Sequence, residues 1–225
     1  MSAAAPPLRL AVLISGRGSN MAAIVRACHA GELAAEIAVV VADRAGAPGL
    51  TLARELGAAT ATVAYSSHSS AAAFEQALQA SCDAHRAQAL ALAGFMRILS
   101  ADFVGCYLGR MFNVHPSLLP AYRGLHTHRR VLAAGERQHG ASVHFVTVEL
   151  DGGPAVLQSR VAVRAGDTEA TLAARVLATE HVIYPRVLGW FAARRLVWRD
   201  GAPWLDGRRL DAPVMEDFRG ATSKD

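Results

Sequence analysis

Several features are scarce in this 225-residue chain, and each scarcity removes a class of protein. There are three cysteines, Cys28, Cys82 and Cys106, widely spaced and without a CxxC pair. Neither a disulfide framework nor a cysteine zinc site is expected, and the thiols read as reduced ones in a cytoplasm. No apolar run approaches the ~20 residues that a membrane helix needs. The first apolar run, residues 10–14, is short and lacks the layout of a signal peptide. No stretch of five basic residues occurs; the nearest is Arg208 and Arg209, read as a solvated face. Nucleic acid is therefore not an expected partner.

What is present describes a packed α/β protein. Hydrophobic residues make up 52% and charged residues 19%, which allows a large core and argues against disorder. The formal charge of +4 suits an anionic small molecule. Short apolar runs at 9–14, 37–42, 60–64 and 90–94 alternate with helical stretches at about 20–31, 48–57 and 71–87. That alternation predicts βαβ units and an open, doubly wound, mostly parallel sheet with helices on both faces. Ligands are then expected beyond the carboxyl ends of the strands. Beyond residue 110 the pattern predicts a strand at 111–115 and a helix at 126–134. Strands at 142–148 and 155–163 are expected around a tight Gly-Gly loop, followed by a long helix from Thr168 to about Leu188. One domain over 8–210 is expected, with a flexible leader at 1–7 and a frayed tail at 211–225.

The first strand runs into Ser15-Gly16-Arg17-Gly18-Ser19-Asn20. Glycines there let a ligand approach the backbone, and the following helix N-terminus favours an anion. Ser19 and Asn20 are also good helix caps. A dinucleotide fingerprint would need glycine where Met21 stands, and there is no Walker lysine. The turn reads as a monophosphate cradle, with an ordinary capped strand-to-helix turn as the bland alternative.

Asn113 and His115 end a strand-like run that stops at Pro116. Residues two apart on a strand face the same side, so an amide donor and an imidazole can share one cavity. A capped strand end with a satisfied histidine would look the same. Asp151, in an Asp-Gly-Gly segment, is the third candidate, since a carboxylate beside an imidazole favours its charged form. Together these types supply a polarising donor, a general acid–base and an electrostatic partner. A surface-turn aspartate remains open at this point. His126 and His128 are expected near the cluster; His29, His68, His85, His139, His144 and His181 are read as surface or packing residues.

LAVLISGRGSN (10–20), LAGFMRILS (92–100), NVHPSLLPAYRGLHTH (113–128) and HGASVHFVTVELDGGPAVLQ (139–158) resemble the formyl-folate transferase family, in its glycinamide ribonucleotide branch. The resemblance is nearly collinear over about residues 8–210. It implies a Rossmann-like formyltransferase fold and formyl transfer from 10-formyltetrahydrofolate to glycinamide ribonucleotide in de novo purine biosynthesis. No metal is implied, and no nucleic acid or membrane partner; the expected state is a cytoplasmic monomer or homodimer. By resemblance Asn113, His115 and Asp151 are the catalytic set. Gly18, Ser19, Asn20 and Glu180 become ribonucleotide contacts. Met96, Arg97, Ile98, Leu99 and Asn113, with the segment Thr147, Val148, Glu149, Leu150 and Asp151, form the folate side.

Two positions depart from the pattern. Ala71 stands where the family often has a folate-contacting arginine, and Leu177 where it often has a glutamine. Arg17 and Arg123 are candidates to compensate, by charge alone. A formyltetrahydrofolate deformylase could use the same trio with water as acceptor, but usually carries an extra N-terminal domain. A transfer-RNA formyltransferase would need a C-terminal nucleic-acid-binding domain. A non-catalytic nucleotide-binding module would need the first turn but not the trio.

Overall fold

The computed structural model describes residues 6–219. Its elements, in order, are β1 (Leu8–Ile14), α1 (Ser19–His29), β2 (Ala35–Ala42), α2 (Pro48–Glu55), β3 (Thr60–Thr62), α3 (Ala71–Ala84) and β4 (Ala89–Leu92). Then come α4 (Ala101–Cys106), β5 (Met111–His115), α5 (Thr127–Ala133), β6 (Gln138–Phe145), β7 (Ala155–Ala162) and α6 (Glu169–Ala192). The chain finishes with β8 (Leu196–Arg199), β9 (Ala202–Leu205), β10 (Arg208–Arg209) and β11 (Val214–Asp217).

Eight strands form one sheet in the order β11-β7-β6-β5-β4-β1-β2-β3. All neighbouring pairs are parallel except those made by β6, which runs against both β5 and β7. The central strands are apolar on both faces, as burial between two helical layers requires. In β1, Leu10, Val12 and Ile14 pack into one core and Ala11 and Leu13 into another, so consecutive residues serve opposite layers. Leu172, Val176, Ile183, Tyr184, Val187 and Leu188 of α6 join the first core; Phe74 and Leu78 of α3 join the second. The predicted open, mostly parallel α/β sheet is what forms.

This order places the site. The chain moves from β1 to β2 and β3 on one side, then crosses to β4 on the other, so β1 and β4 flank a topological switch point. Such a point opens a crevice at the carboxyl ends of the strands. Two loops line it: Ser15–Gly18 after β1 and residues 94–100 after β4.

Two sequence expectations change at the C-terminal half. The strand read as 142–148 stops at Phe145, and residues 146–154 form a loop rather than a tight turn. The tail does not simply fray from residue 211: β11 pairs in parallel with β7 and closes the sheet edge, with Val214 opposite Leu157. Val214 is partly buried against the core, which is the apolar contact that holds this strand. The end of the tail, residues 220–225, and most of the leader, 1–5, lie outside the described residues. Among the described residues, no helix is long and apolar enough to cross a membrane.

Candidate active site

The first turn is built on Gly18. Its φ of 76° lies in the left-handed region, and a Cβ there would sit 3.0 Å from the Gly49 backbone. Gly18 itself is the residue before α1, and no side chain caps the helix. Ser19 and Asn20 are therefore not caps, contrary to the sequence reading: both already lie inside α1. The first N–H groups of the helix consequently keep no intrahelical acceptor and lie at the carboxyl end of β1. Asn20 instead donates from Nδ2 to Glu180 Oε2 on α6 at 2.6 Å, in a buried setting. Burial raises the Glu180 carboxyl above the ordinary range, and the Asn20 bond partly offsets this. The Asn20 Oδ1 atom is buried with no hydrogen-bond partner among the described residues.

The second wall is the loop after β4. The Ser15 N–H donates to Gly94 O at 3.1 Å, and Ser15 Oγ accepts the Met96 N–H at 2.9 Å, tying this loop to the first turn. Met96 and Ile98 project outward, 65% and 77% exposed, while Leu99 is buried in the core beneath. The Arg97 side chain does not point freely into the crevice: its Nε donates to Asp43 Oδ2 at 2.6 Å.

The polar cluster forms at the end of β5. Asn113 and His115 share one face, as alternation predicts. The histidine ring lies between two loops, with Nδ1 3.4 Å from Asp151 Oδ2 and Nε2 donating to Tyr122 O at 3.0 Å. Asp151 Oδ2 also accepts the Gly124 N–H at 2.9 Å. Asp151 adopts a left-handed φ of 48° within the 146–154 loop. That loop is pressed tightly onto β6, since a Cβ on Gly153 would lie 1.9 Å from Phe145 O. Thr147 is half-buried; Val148, Glu149 and Leu150 are exposed, with Glu149 paired to Arg123 across the site.

His144, read from sequence as a packing residue, belongs to the cluster. In the antiparallel register it stands opposite Asn113. Its Nδ1–H donates to Phe145 O at 2.8 Å, leaving Nε2 to accept the Asn113 Nδ2–H at 3.1 Å. Burial pushes this imidazole down to about 4, so the ring is neutral and the tautomer consistent with both bonds. Asp151 Oδ1 lies 3.8 Å from His144 Nε2. His144 thus fixes the Asn113 amide and leaves its second N–H uncommitted to His144. The signal that could have found it was the pairing of strand 111–115 with the next strand, which places residue 144 beside residue 113.

Burial lowers the His128 imidazole below its ordinary value, with Glu169 opposing and His115 adding to the shift, so His128 lies within electrostatic reach of the cluster. His126 is exposed and precedes α5; His128 Nδ1 and His139 Nε2 are 3.0 Å apart. Ala71 opens α3 with an exposed methyl group, and Leu177 is half-buried on α6. Arg17 is exposed beside the first turn. Among the described residues, no group of three or more His, Cys, Asp or Glu side chains is arranged to hold a metal ion.

The start of α1, the loop after β4 and the Asn–His–Asp cluster all lie at the carboxyl ends of neighbouring parallel strands of one α/β sheet. Residues 8–188 match the family described as formyl transferase. The phosphoribosylglycinamide formyltransferase of Escherichia coli is 50% identical over 203 residues, covering 90% of this chain and 96% of that protein. That of Haemophilus influenzae is 39% identical over 90% of this chain and 95% of its own length. The solved phosphoribosylglycinamide formyltransferase of Coxiella burnetii superposes with a TM-score of 0.88 at 47% identity, covering 92% of this chain and 99% of that one. The chain belongs to the formyl transferase family, in the phosphoribosylglycinamide formyltransferase branch.

Proposed function

We propose that this enzyme transfers the formyl group of 10-formyltetrahydrofolate to the amine of N1-(5-phosphoribosyl)glycinamide. The products are the N-formyl ribonucleotide and tetrahydrofolate, a step of purine biosynthesis. The observation that carries this reading is the convergence of Asn113, His115, His144 and Asp151 at the end of β5.

The residues fit both substrates. The free N–H groups at the start of α1 suit the ribonucleotide phosphate, with Gly18, Ser19 and Asn20 around it. Glu180 and the unpartnered Asn20 Oδ1 offer acceptors for its hydroxyl or amide groups. Exposed Met96, Ile98, Val148 and Leu150 provide apolar contact for the flat folate rings. Leu99 supports that wall from below, and backbone groups from Arg97 and from Thr147 to Asp151 remain to hold polar ring edges.

The amine attacks the formyl carbon, and negative charge develops on the formyl oxygen. The free Asn113 N–H and a protonated His115 stabilise that charge. Asp151 holds the imidazolium and orients its ring. The C–N bond to the folate nitrogen then breaks, and the proton lost by the amine passes to that nitrogen. This needs neither a metal nor a covalent enzyme intermediate. We place the reaction in the cytoplasm, in accord with three free thiols, two of which burial makes unreactive: Cys28 is pushed up to about 11 and Cys82 to about 12.

A steady-state assay with 10-formyltetrahydrofolate, with and without the ribonucleotide, tests the reading. Deformylation that requires the ribonucleotide and yields formylated product supports it. Deformylation indifferent to the ribonucleotide would move the assignment to a hydrolase.

A further inference from the structure

The loop after β4 is fastened at three points. Near its start Ser15 holds Gly94 and Met96, as described above. At its end Ser100 donates its N–H to Glu75 Oε1 at 2.7 Å, and its hydroxyl also bonds that carboxylate. The middle is held by a side chain alone. Arg97 Nε donates to Asp43 Oδ2 at 2.6 Å, and its guanidinium carbon stacks 4.2 Å from the centre of the Tyr65 ring.

Asp43 is an unusual anchor. It follows the last residue of β2, at the ligand end of the sheet, with a side chain only 2% exposed. Its backbone is fixed on both sides: its N–H donates to Ile14 O at 3.3 Å, and its carbonyl accepts the Tyr65 N–H at 2.9 Å. The second carboxylate oxygen, Oδ1, is buried without a partner among the described residues. A buried carboxylate with a single ionic partner depends heavily on that partner, because an unpaired charge there is expensive. The Arg97 side chain, 36% exposed, is thus drawn back toward the protein instead of out over the crevice. Met96 and Ile98, its neighbours on either side, are left as the outward apolar groups.

We propose that Asp43 and Arg97, with Tyr65, form a clamp that sets the shape of the folate-side wall. Arg97 is then a positioning residue whose guanidinium serves the protein. The clamp rests on the proposed reading of this loop as the folate wall, and it deepens that reading. It makes Asp43, a residue no motif singled out, a determinant of affinity for the formyl donor.

The test compares Arg97→Ala, Arg97→Lys, Asp43→Asn and the double variant Asp43→Asn/Arg97→Ala in the full chain. The KM for 10-formyltetrahydrofolate should rise by roughly 10-fold in Arg97→Ala, the scale of losing one charge-assisted bond. The KM for the ribonucleotide and kcat at saturating folate should stay near wild type. Arg97→Lys should not rescue, because a lysine lacks the planar Nε–H and the ring stack. Asp43→Asn keeps the shape of the side chain and should raise the same KM, with the double variant no worse than Arg97→Ala. An effect of Arg97→Ala without one of Asp43→Asn would mean that Arg97 meets the folate directly, and would overturn the clamp. Additive losses in the double variant would overturn it as well. Amide hydrogen exchange over residues 94–100 supplies a substrate-free readout, expected to quicken in all four variants; unchanged exchange would overturn the clamp. Wild-type protein with no turnover would instead sink the proposed function, and exchange would still decide whether the clamp exists.

Discussion

Asp151 Oδ2 stands 3.4 Å from His115 Nδ1 while accepting the Gly124 N–H at 2.9 Å. One carboxylate thereby joins a strand-end histidine to two loops that the chain separates by 27 residues. Replacing it with asparagine keeps the size and removes the negative charge beside the His115 ring. We expect Asp151→Asn to lower kcat by ~10² or more, with little change in either KM. Steady-state kinetics with each substrate varied checks this, and an unchanged kcat would remove Asp151 from the catalytic set.

Asn113 gives one amide N–H to His144 Nε2 at 3.1 Å. Asn113→Ala should cost ~10²–10³ in kcat, the usual loss of one oxyanion donor. His144→Phe leaves that amide unoriented and should cost less. If the histidine variant were the more damaged, His144 would have to act on substrate itself.

Gly18 holds φ at 76° with the Gly49 backbone pressed against it. Gly18→Ala should destabilise the fold by about 1–3 kcal/mol for the strained backbone alone. It should also raise the KM for the ribonucleotide more than that for the folate, because only the first turn is displaced. A thermal melt and paired KM measurements distinguish this from general misfolding, which would raise both equally.

Burial pushes His139 and His144 down to about 4, against an ordinary 6.5. Between those values the unfolded chain binds protons that the folded protein refuses. Stability must therefore fall as pH drops from about 6.5 toward 4, with each histidine contributing at most about 1.4 kcal/mol per pH unit. Melting temperatures at pH 7, 6 and 5 should decline, and His139→Asn should flatten the decline. A melting temperature independent of pH across that range would contradict the neutral, buried assignment.

The amino-acid sequence determined the parts whose cause is local. Apolar runs of strand length separated by helical stretches were enough for the α/β sheet, and Asn113 and His115 were placed on one face by strand alternation alone. The Gly18 turn was legible because close backbone approach restricts the residue type. The rest depended on contacts between distant segments. His144 joined the cluster only because β6 runs antiparallel to β5 and sets residue 144 opposite residue 113, a register that a single strand's pattern does not carry. Asn20 looked like a cap, yet it bonds Glu180, 160 residues away, because α1 and α6 pack side by side. β11 was missed because a short, half-exposed strand has little pattern of its own and is held by β7. Asp43 carried no sequence signal at all; its burial, and its hold on Arg97, exist only once β2, the Tyr65 turn and the 94–100 loop are brought together by the sheet.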